Sequence, residues 1–124
     1  MYKHSELTNK IICSSYNVHN ILGAGFLEKV YENALCLELQ SLGLNVEQQA
    51  PVKIGYKGQL VGEYFADLLV DGKIILELKA VEAISPIHEI QLKNYLKGSR
   101  IELGLLINFG KRVEVRRKYV NNFG

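Results

Sequence analysis

The segment from Gly62 to Ala80, GEYFADLLVDGKIILELKA, holds two apolar runs joined by Asp71 and Gly72. Aliphatic and aromatic runs flanking an Asp-Gly pair are a strong hairpin signal, and a hairpin this apolar must be covered by packed elements. The chain is thereby constrained to build a sheet with helices on it. Within the second run, Ile74, Leu76, Leu78 and Ala80 share one face, while Lys73, Ile75, Glu77 and Lys79 share the other. Glu77 and Lys79 are then neighbours on a face that a helix should cover, where unpaired charges are costly. Either they close a partly exposed ion pair at the end of an edge strand, or something binds there.

The rest of the sequence supplies the covering. From Ser5, read as an N-cap, Leu7, Ile11, Val18 and Leu22 recur at near-helical spacing until Gly23 and Gly25 break the pattern. A second helix is expected from about Phe26 to Leu42, with Gly43 as its stop. After Pro51 the period becomes two, through Val52, Ile54 and Tyr56, and Lys57-Gly58 suggests a reversal. Strands follow from Tyr64 to Val70 and from Lys73 to Lys79. Ser85 and Pro86 read as N-cap and first residue of a helix ending near Lys97, with Gly98 past its end. The run from Ile101 to Phe109 suits a strand covered on both faces. The expected order is ααβββαβ, an α/β fold with a mixed central sheet. An antiparallel meander is joined by a strand that a crossover helix brings in parallel, and helices flank the sheet.

Composition limits the function classes. With 124 residues, 48% of them hydrophobic, the chain fits a single domain spanning residues 1–124. A formal charge of +2 does not by itself imply a nucleic-acid or membrane partner. Cys13 and Cys36 are too few for a disulfide framework and lack zinc-site spacing. No apolar run has signal-peptide character or approaches the roughly 20 residues that span a bilayer, so a cytoplasmic protein with no membrane partner is expected.

Asp67 sharpens the question about Glu77. It lies among apolar residues and is one of two aspartates, the other being Asp71 in the turn. Two carboxylates converging from adjacent strands repel, which makes sense if a hard divalent cation, Mg²⁺ or Mn²⁺, sits between them. Lys79 would then help orient or deprotonate an attacking water and offset charge on a phosphate, meeting the needs of phosphodiester hydrolysis. Convergence depends on register: a two-residue Asp71-Gly72 turn would leave Asp67 and Glu77 on opposite faces. The hairpin should therefore have an odd loop, of the type Val70, Asp71 and Gly72 with Gly72 at positive φ, or an equivalent bulge nearby.

At these residues the sequence resembles a known family. Asp67, Glu77 and Lys79 match the D-x9-E-x-K signature of the PD-(D/E)XK nuclease superfamily, with Ala66 in place of its initial proline. GFLEKVY, Gly25 to Tyr31, looks like the hallmark of the GxxExxY proteins, a bacterial and archaeal branch of that superfamily, and QLKNY, Gln91 to Tyr95, resembles the Q-x-x-x-Y helix motif of its RecB-like nucleases. The resemblance implies a restriction-endonuclease-like core. It further implies Glu28, Asp67 and Glu77 as acidic metal-site residues, the Leu78 carbonyl as a further ligand, Lys79 as the catalytic lysine, and Gln91 and Tyr95 in support.

Several of these residues have plainer explanations. Glu28 suits the first turn of a helix without any metal, and Gln91 and Tyr95 could form an ordinary polar helix face. His19 and His88 read as hydrogen-bonded structural residues and Tyr31 as core. Gly23 and Gly25 lie between helices, which excludes a nucleotide-binding loop. In KRVEVRRKY, Lys111, Arg112, Arg116 and Arg117 are candidates for contacting a phosphate backbone, although an edge strand defended by charge accounts for them as well. The reading that follows is a Mg²⁺- or Mn²⁺-dependent nuclease acting on nucleic acid, DNA rather than RNA. The alternative is a nucleic-acid-binding or interaction subunit with weak or partner-dependent turnover. So short a chain has little surface to grip substrate, which favours an oligomer or a protein partner.

Overall fold

The computed structural model describes residues 4–121. Helices α1 (Ser5–Leu22) and α2 (Glu28–Ser41) precede strands β1 (Val46–Tyr56), β2 (Gln59–Val70) and β3 (Ile74–Lys79). Helix α3 (Pro86–Ser99) then leads to β4 (Leu103–Phe109) and β5 (Val113–Tyr119). The five strands form one sheet in sequential order, in which β3 and β4 are parallel and every other pair antiparallel. This is the expected mixed α/β architecture with one strand more. β5 alternates a few apolar residues with charges, so its sequence reads as surface; as an edge strand it presents those charges outward. None of the helices is long and apolar enough to cross a membrane.

Each sheet face has its own core. On one, Ile11, Leu35 and Leu39 of α1 and α2 pack on Leu68, Ile74, Leu76, Leu78, Leu105 and Ile107. On the other, Leu92 and Leu96 of α3 pack on Ala50, Val52, Ala66, Ile75 and Leu106. By strand alternation Glu77 and Lys79 lie on the α3 side.

Local chemistry explains the element ends. At the end of α2, Gly43 takes φ 80° while the Leu44 N–H reaches the Leu39 carbonyl, a Schellman stop. Ser85 caps α3, and His88 accepts the Ser85 N–H on Nδ1 to complete a capping box. Gly98 does not end this helix. A Cβ there would lie 2.9 Å from Ile54 Cγ1, so the glycine serves a close approach to β1, and Arg100, at φ 63°, makes the stop instead. Nor does Ser5 cap α1: His4 holds the N-cap position without a side-chain cap bond. Strands β1 and β2 extend beyond the expected segments because their polar ends pair with each other, around a two-residue Lys57-Gly58 turn in which both residues have positive φ.

The β2–β3 hairpin pairs Leu68 with Leu76, Leu69 with Ile75 and Val70 with Ile74. Its loop is Asp71, Gly72 and Lys73, odd as convergence of the two carboxylates requires, but one residue later than the expected Val70, Asp71 and Gly72. Asp71 and Gly72 both have positive φ, at 52° and 65°. Continuing this register sets Asp67 opposite Glu77.

Asn108, the polar residue of an otherwise apolar strand, fastens the segment leaving β3. It is 2% exposed, accepts the Val81 N–H on Oδ1 and donates Nδ2 to the Val81 carbonyl, both at 2.9 Å. Next to it, a Cβ on Gly110 would lie 2.9 Å from the Val81 oxygen, so only glycine fits. His19 donates to the Gly110 carbonyl at 2.8 Å, tying α1 to the same corner and giving this histidine a structural role. Asn108→Leu should cost about 1–3 kcal/mol by stripping Val81 of both partners, read as a lower urea midpoint with unchanged slope.

Candidate metal centre and active site

Beyond the Leu68–Leu76 pair, β2 and β3 separate, and the site lies where they part. The Leu78 N–H, past the last ladder pair, donates to Asp67 Oδ2 at 2.8 Å. This bond holds the Asp67 carboxylate against β3 with Glu77 beside it. Glu77 Oε1 is buried and has no hydrogen-bond partner. Among the described residues no ion pair joins it to Lys79, so the plainer ion-pair explanation of the E-x-K spacing does not hold. Burial first, and then the negative charge of Asp67, pushes the Glu77 carboxyl up to about 8, an effect Lys79 only partly offsets.

Tyr64, which nothing in the sequence sets apart from any strand aromatic, belongs to the same cluster. Its ring stacks on Tyr95 with centroids 3.4 Å apart. Its hydroxyl is buried without a partner. Burial, followed by the charge of Glu77, raises the pKa of this phenol, and the same two causes raise that of Tyr95. The α3 motif thus contributes Tyr95 as a wall of the site, whereas Gln91 is exposed.

Other expected residues are placed differently. Glu28 is exposed in the first turn of α2, and among the described residues no three His, Cys, Asp or Glu side chains gather as a metal would need. Glu28 therefore does not join Asp67 and Glu77; its position at a helix N-terminus suits the dipole. Tyr31, the last residue of the same motif, fastens the α1–α2 loop: it donates to the Gly23 carbonyl at 2.6 Å and stacks on Phe109 at 4.6 Å. The basic group at the C-terminus is divided. Lys111 and Arg112 lie in the β4–β5 turn, and the adjacent Arg116 and Arg117 point to opposite faces of β5. Arg116 pairs with Glu114 at 2.9 Å, and Lys118 with Glu89 at 2.7 Å.

A model of the PD-(D/E)XK nuclease superfamily matches residues 5–118. The chain belongs to this superfamily. Among solved structures it resembles the crystal structure of SSO0001, with a TM-score of 0.59 and 21% identity over 95% of this chain. The likeness covers 59% of that chain, so it supports the fold alone. A search of curated proteins finds no match. The superfamily's nucleases generally use divalent metal ions. The donors present fit one: two facing carboxylates, one with a buried unpartnered oxygen, form a hard oxygen set of the kind that holds Mg²⁺ while leaving it several waters.

The raised Glu77 pKa sets a stability prediction for metal-free protein. Between the ordinary carboxyl value of 4.5 and about 8, folded protein holds a proton that unfolded protein has lost, so stability falls as pH rises through that window. Above it the full penalty of a buried charge remains. In EDTA, Glu77→Gln should melt above wild type near pH 8, by about 4 °C per kcal/mol relieved, with the gap closing toward pH 4.5. A variant melting below wild type at the higher pH would show that the carboxylate holds the fold together.

Proposed function

We propose that this domain is a metal-dependent nuclease that hydrolyses phosphodiester bonds of DNA, and that it belongs to the GxxExxY group with RecB-like features. The observation that carries this reading is Asp67 opposite Glu77 at the parting of β2 and β3, with Glu77 Oε1 buried and unpartnered. An ion-pair cluster would satisfy that oxygen; a cation-binding site leaves it open. Asp67 and Glu77 would hold Mg²⁺ or Mn²⁺. In an extended residue the N–H and C=O project to the same edge, which directs the Leu78 carbonyl toward the opening that its N–H faces and favours it as a further ligand. When bound, the cation supplies charge that acidifies water and stabilises the developing charge on phosphoryl oxygens.

The chain's own residues do the rest. Lys79 leaves the strand two residues past Glu77, on the same face, free of any ion pair with it. It orients the attacking water and offsets phosphate charge. The Tyr64 hydroxyl, a donor without a partner beside Glu77, is suited to hold that water or a phosphate oxygen, and Tyr95 fixes its ring by stacking. Lys111 and Arg112 of the β4–β5 turn are the basic residues best suited to contact the phosphate backbone, since Arg116 is engaged by Glu114 and Arg117 points to the other face of β5.

A second reading, a nucleic-acid-binding or interaction subunit active only with a partner, draws support from the ion pairs that engage Arg116 and Lys118. Those pairs engage both basic residues that β5 turns to the side of α3. Calorimetry with Mn²⁺ and cleavage of a labelled duplex separate the two. Asp67→Ala and Glu77→Ala should lose metal binding and cleavage together. Lys79→Ala should bind Mn²⁺ as well as wild type or better, yet cleave about 100-fold more slowly, and Lys79→Arg should not restore the rate, because a planar guanidinium cannot occupy the position of a compact ammonium. Wild-type cleavage by both Glu77→Ala and Lys79→Ala would overturn the mechanism. Metal binding without cleavage by any protein would favour the partner-dependent reading.

A further inference from the structure

Gln49 interrupts β1. Its φ is 51°, the left-handed region that non-glycine residues seldom occupy. The β1–β2 register passes from Gln48 opposite Leu68 to Ala50 opposite Ala66, with no pair between Gln49 and Asp67. The side chains switch faces here: Val46, Leu68 and Val70 join the α1–α2 core, whereas Ala50 and Ala66 join the α3 core. A strand gives up its regular geometry at the residue facing the candidate metal ligand.

The strained residue gains contacts with two carboxylates. Gln49 Nε2 donates to Glu32 Oε1 at 3.0 Å and reaches Asp67 Oδ1 at 3.5 Å. Because both partners accept, the amide must turn its NH₂ inward, and its two hydrogens can serve both. Glu32 is a buried α2 carboxylate, 4% exposed, and it is already in use. Besides Gln49 on Oε1, its Oε2 accepts Gln48 Nε2 at 2.8 Å and Lys29 Nζ at 2.9 Å. So occupied, Glu32 is no metal ligand; what it does is hold Gln49.

We propose that Glu32 and Gln49 are positioning residues that aim the Asp67 carboxylate at the metal, an inference that rests on Asp67 being a ligand. The Leu78 N–H fixes one carboxylate oxygen at 2.8 Å, and the Gln49 amide approaches the other at 3.5 Å, so donors face the group from two sides. The Gln49 contact is long, which orients Oδ1 while leaving lone-pair capacity for a cation. Groups that orient ligands in this way usually change metal affinity about 10–100-fold when removed.

The test is Mn²⁺ calorimetry on four variants, with a thermal melt of each. Gln49→Gly removes the side chain and suits the positive φ, a gain that offsets part of the cost of leaving Glu32 Oε1 without its donor, so it should still fold yet bind Mn²⁺ about 10-fold or more weakly. Glu32→Gln should weaken binding in the same direction, and it serves alone if the glycine variant does not fold. The double variant should bind no worse than Gln49→Gly, because Glu32 acts through Gln49. Wild-type affinity in both single variants, or additive losses in the double, would overturn the proposal. Asp67→Asn is the reference: if it leaves Mn²⁺ affinity intact, the metal-site reading itself fails, whereas loss of binding there beside unchanged Gln49→Gly and Glu32→Gln rejects only the positioning role.

Discussion

The hydrogen bond from the Leu78 N–H to Asp67 Oδ2 lets two strands separate inside a sheet without stranding a buried donor. In a regular ladder strand backbones satisfy each other, and a parting strand leaves bare groups that cost about 1–3 kcal/mol each when buried. Here the Asp67 side chain takes the place of the missing partner. One carboxylate thus closes the end of the β2–β3 ladder and presents its charge at the opening that the parting creates. Register provides the second carboxylate. The odd loop of Asp71, Gly72 and Lys73 sets Glu77 across from Asp67, and a loop one residue shorter would turn one of them to the other face.

Polar groups buried in this fold are of two kinds, and the contrast locates the site. Asn108, Glu32 and Ser15 are buried and bonded: Asn108 to both backbone groups of Val81, Glu32 to three donors, Ser15 to the Ile11 carbonyl. They hold elements in place. Glu77 Oε1 and Tyr64 OH are buried and unbonded, as is Thr8 Oγ1 on α1. Two of these three belong to side chains that feel the charge of Asp67. A fold that satisfies its polar core elsewhere leaves these two oxygens open beside a pair of repelling carboxylates, the pattern expected where stability yields to function.

What sequence reasoning could reach follows from the range of each signal. The Asp-Gly turn, the period of two from Ile74 to Lys79 and the apolar run into β4 are local patterns, and they led to the sheet, to its parallel pair and to Glu77 and Lys79 sharing a face. The odd hairpin loop was deduced from the chemistry that the carboxylates would need. Gln49 was out of reach, since nothing in VEQQAP marks a left-handed residue in a strand, and the partner of its side chain is Glu32, seventeen residues earlier on another element. Tyr64 reads as any aromatic in a strand, because the stacking that gives it a role comes from α3. Glu28 is ambiguous in the opposite direction. A glutamate in a first turn satisfies both a family motif and a helix dipole, and the spacing cannot say which. Asn108 did carry a signal, as an amide closing an apolar run.

The parallel pairing of β3 and β4 explains why the chemistry gathers at one end of the molecule. Because α3 crosses over and returns the chain in the same direction, Lys79 and Asn108 finish their strands side by side. In open α/β sheets this carboxyl end is where ligands bind, since the chain leaves each strand there and loops diverge. Asn108 then secures the segment departing from Lys79 through Val81, and the Lys111-Arg112 turn follows directly from β4. An antiparallel return would have sent that turn to the opposite end of the sheet. Topology thus sets two basic residues beyond the end of the strand that holds Glu77 and Lys79, while the ion pairs of Arg116 and Lys118 neutralise much of β5.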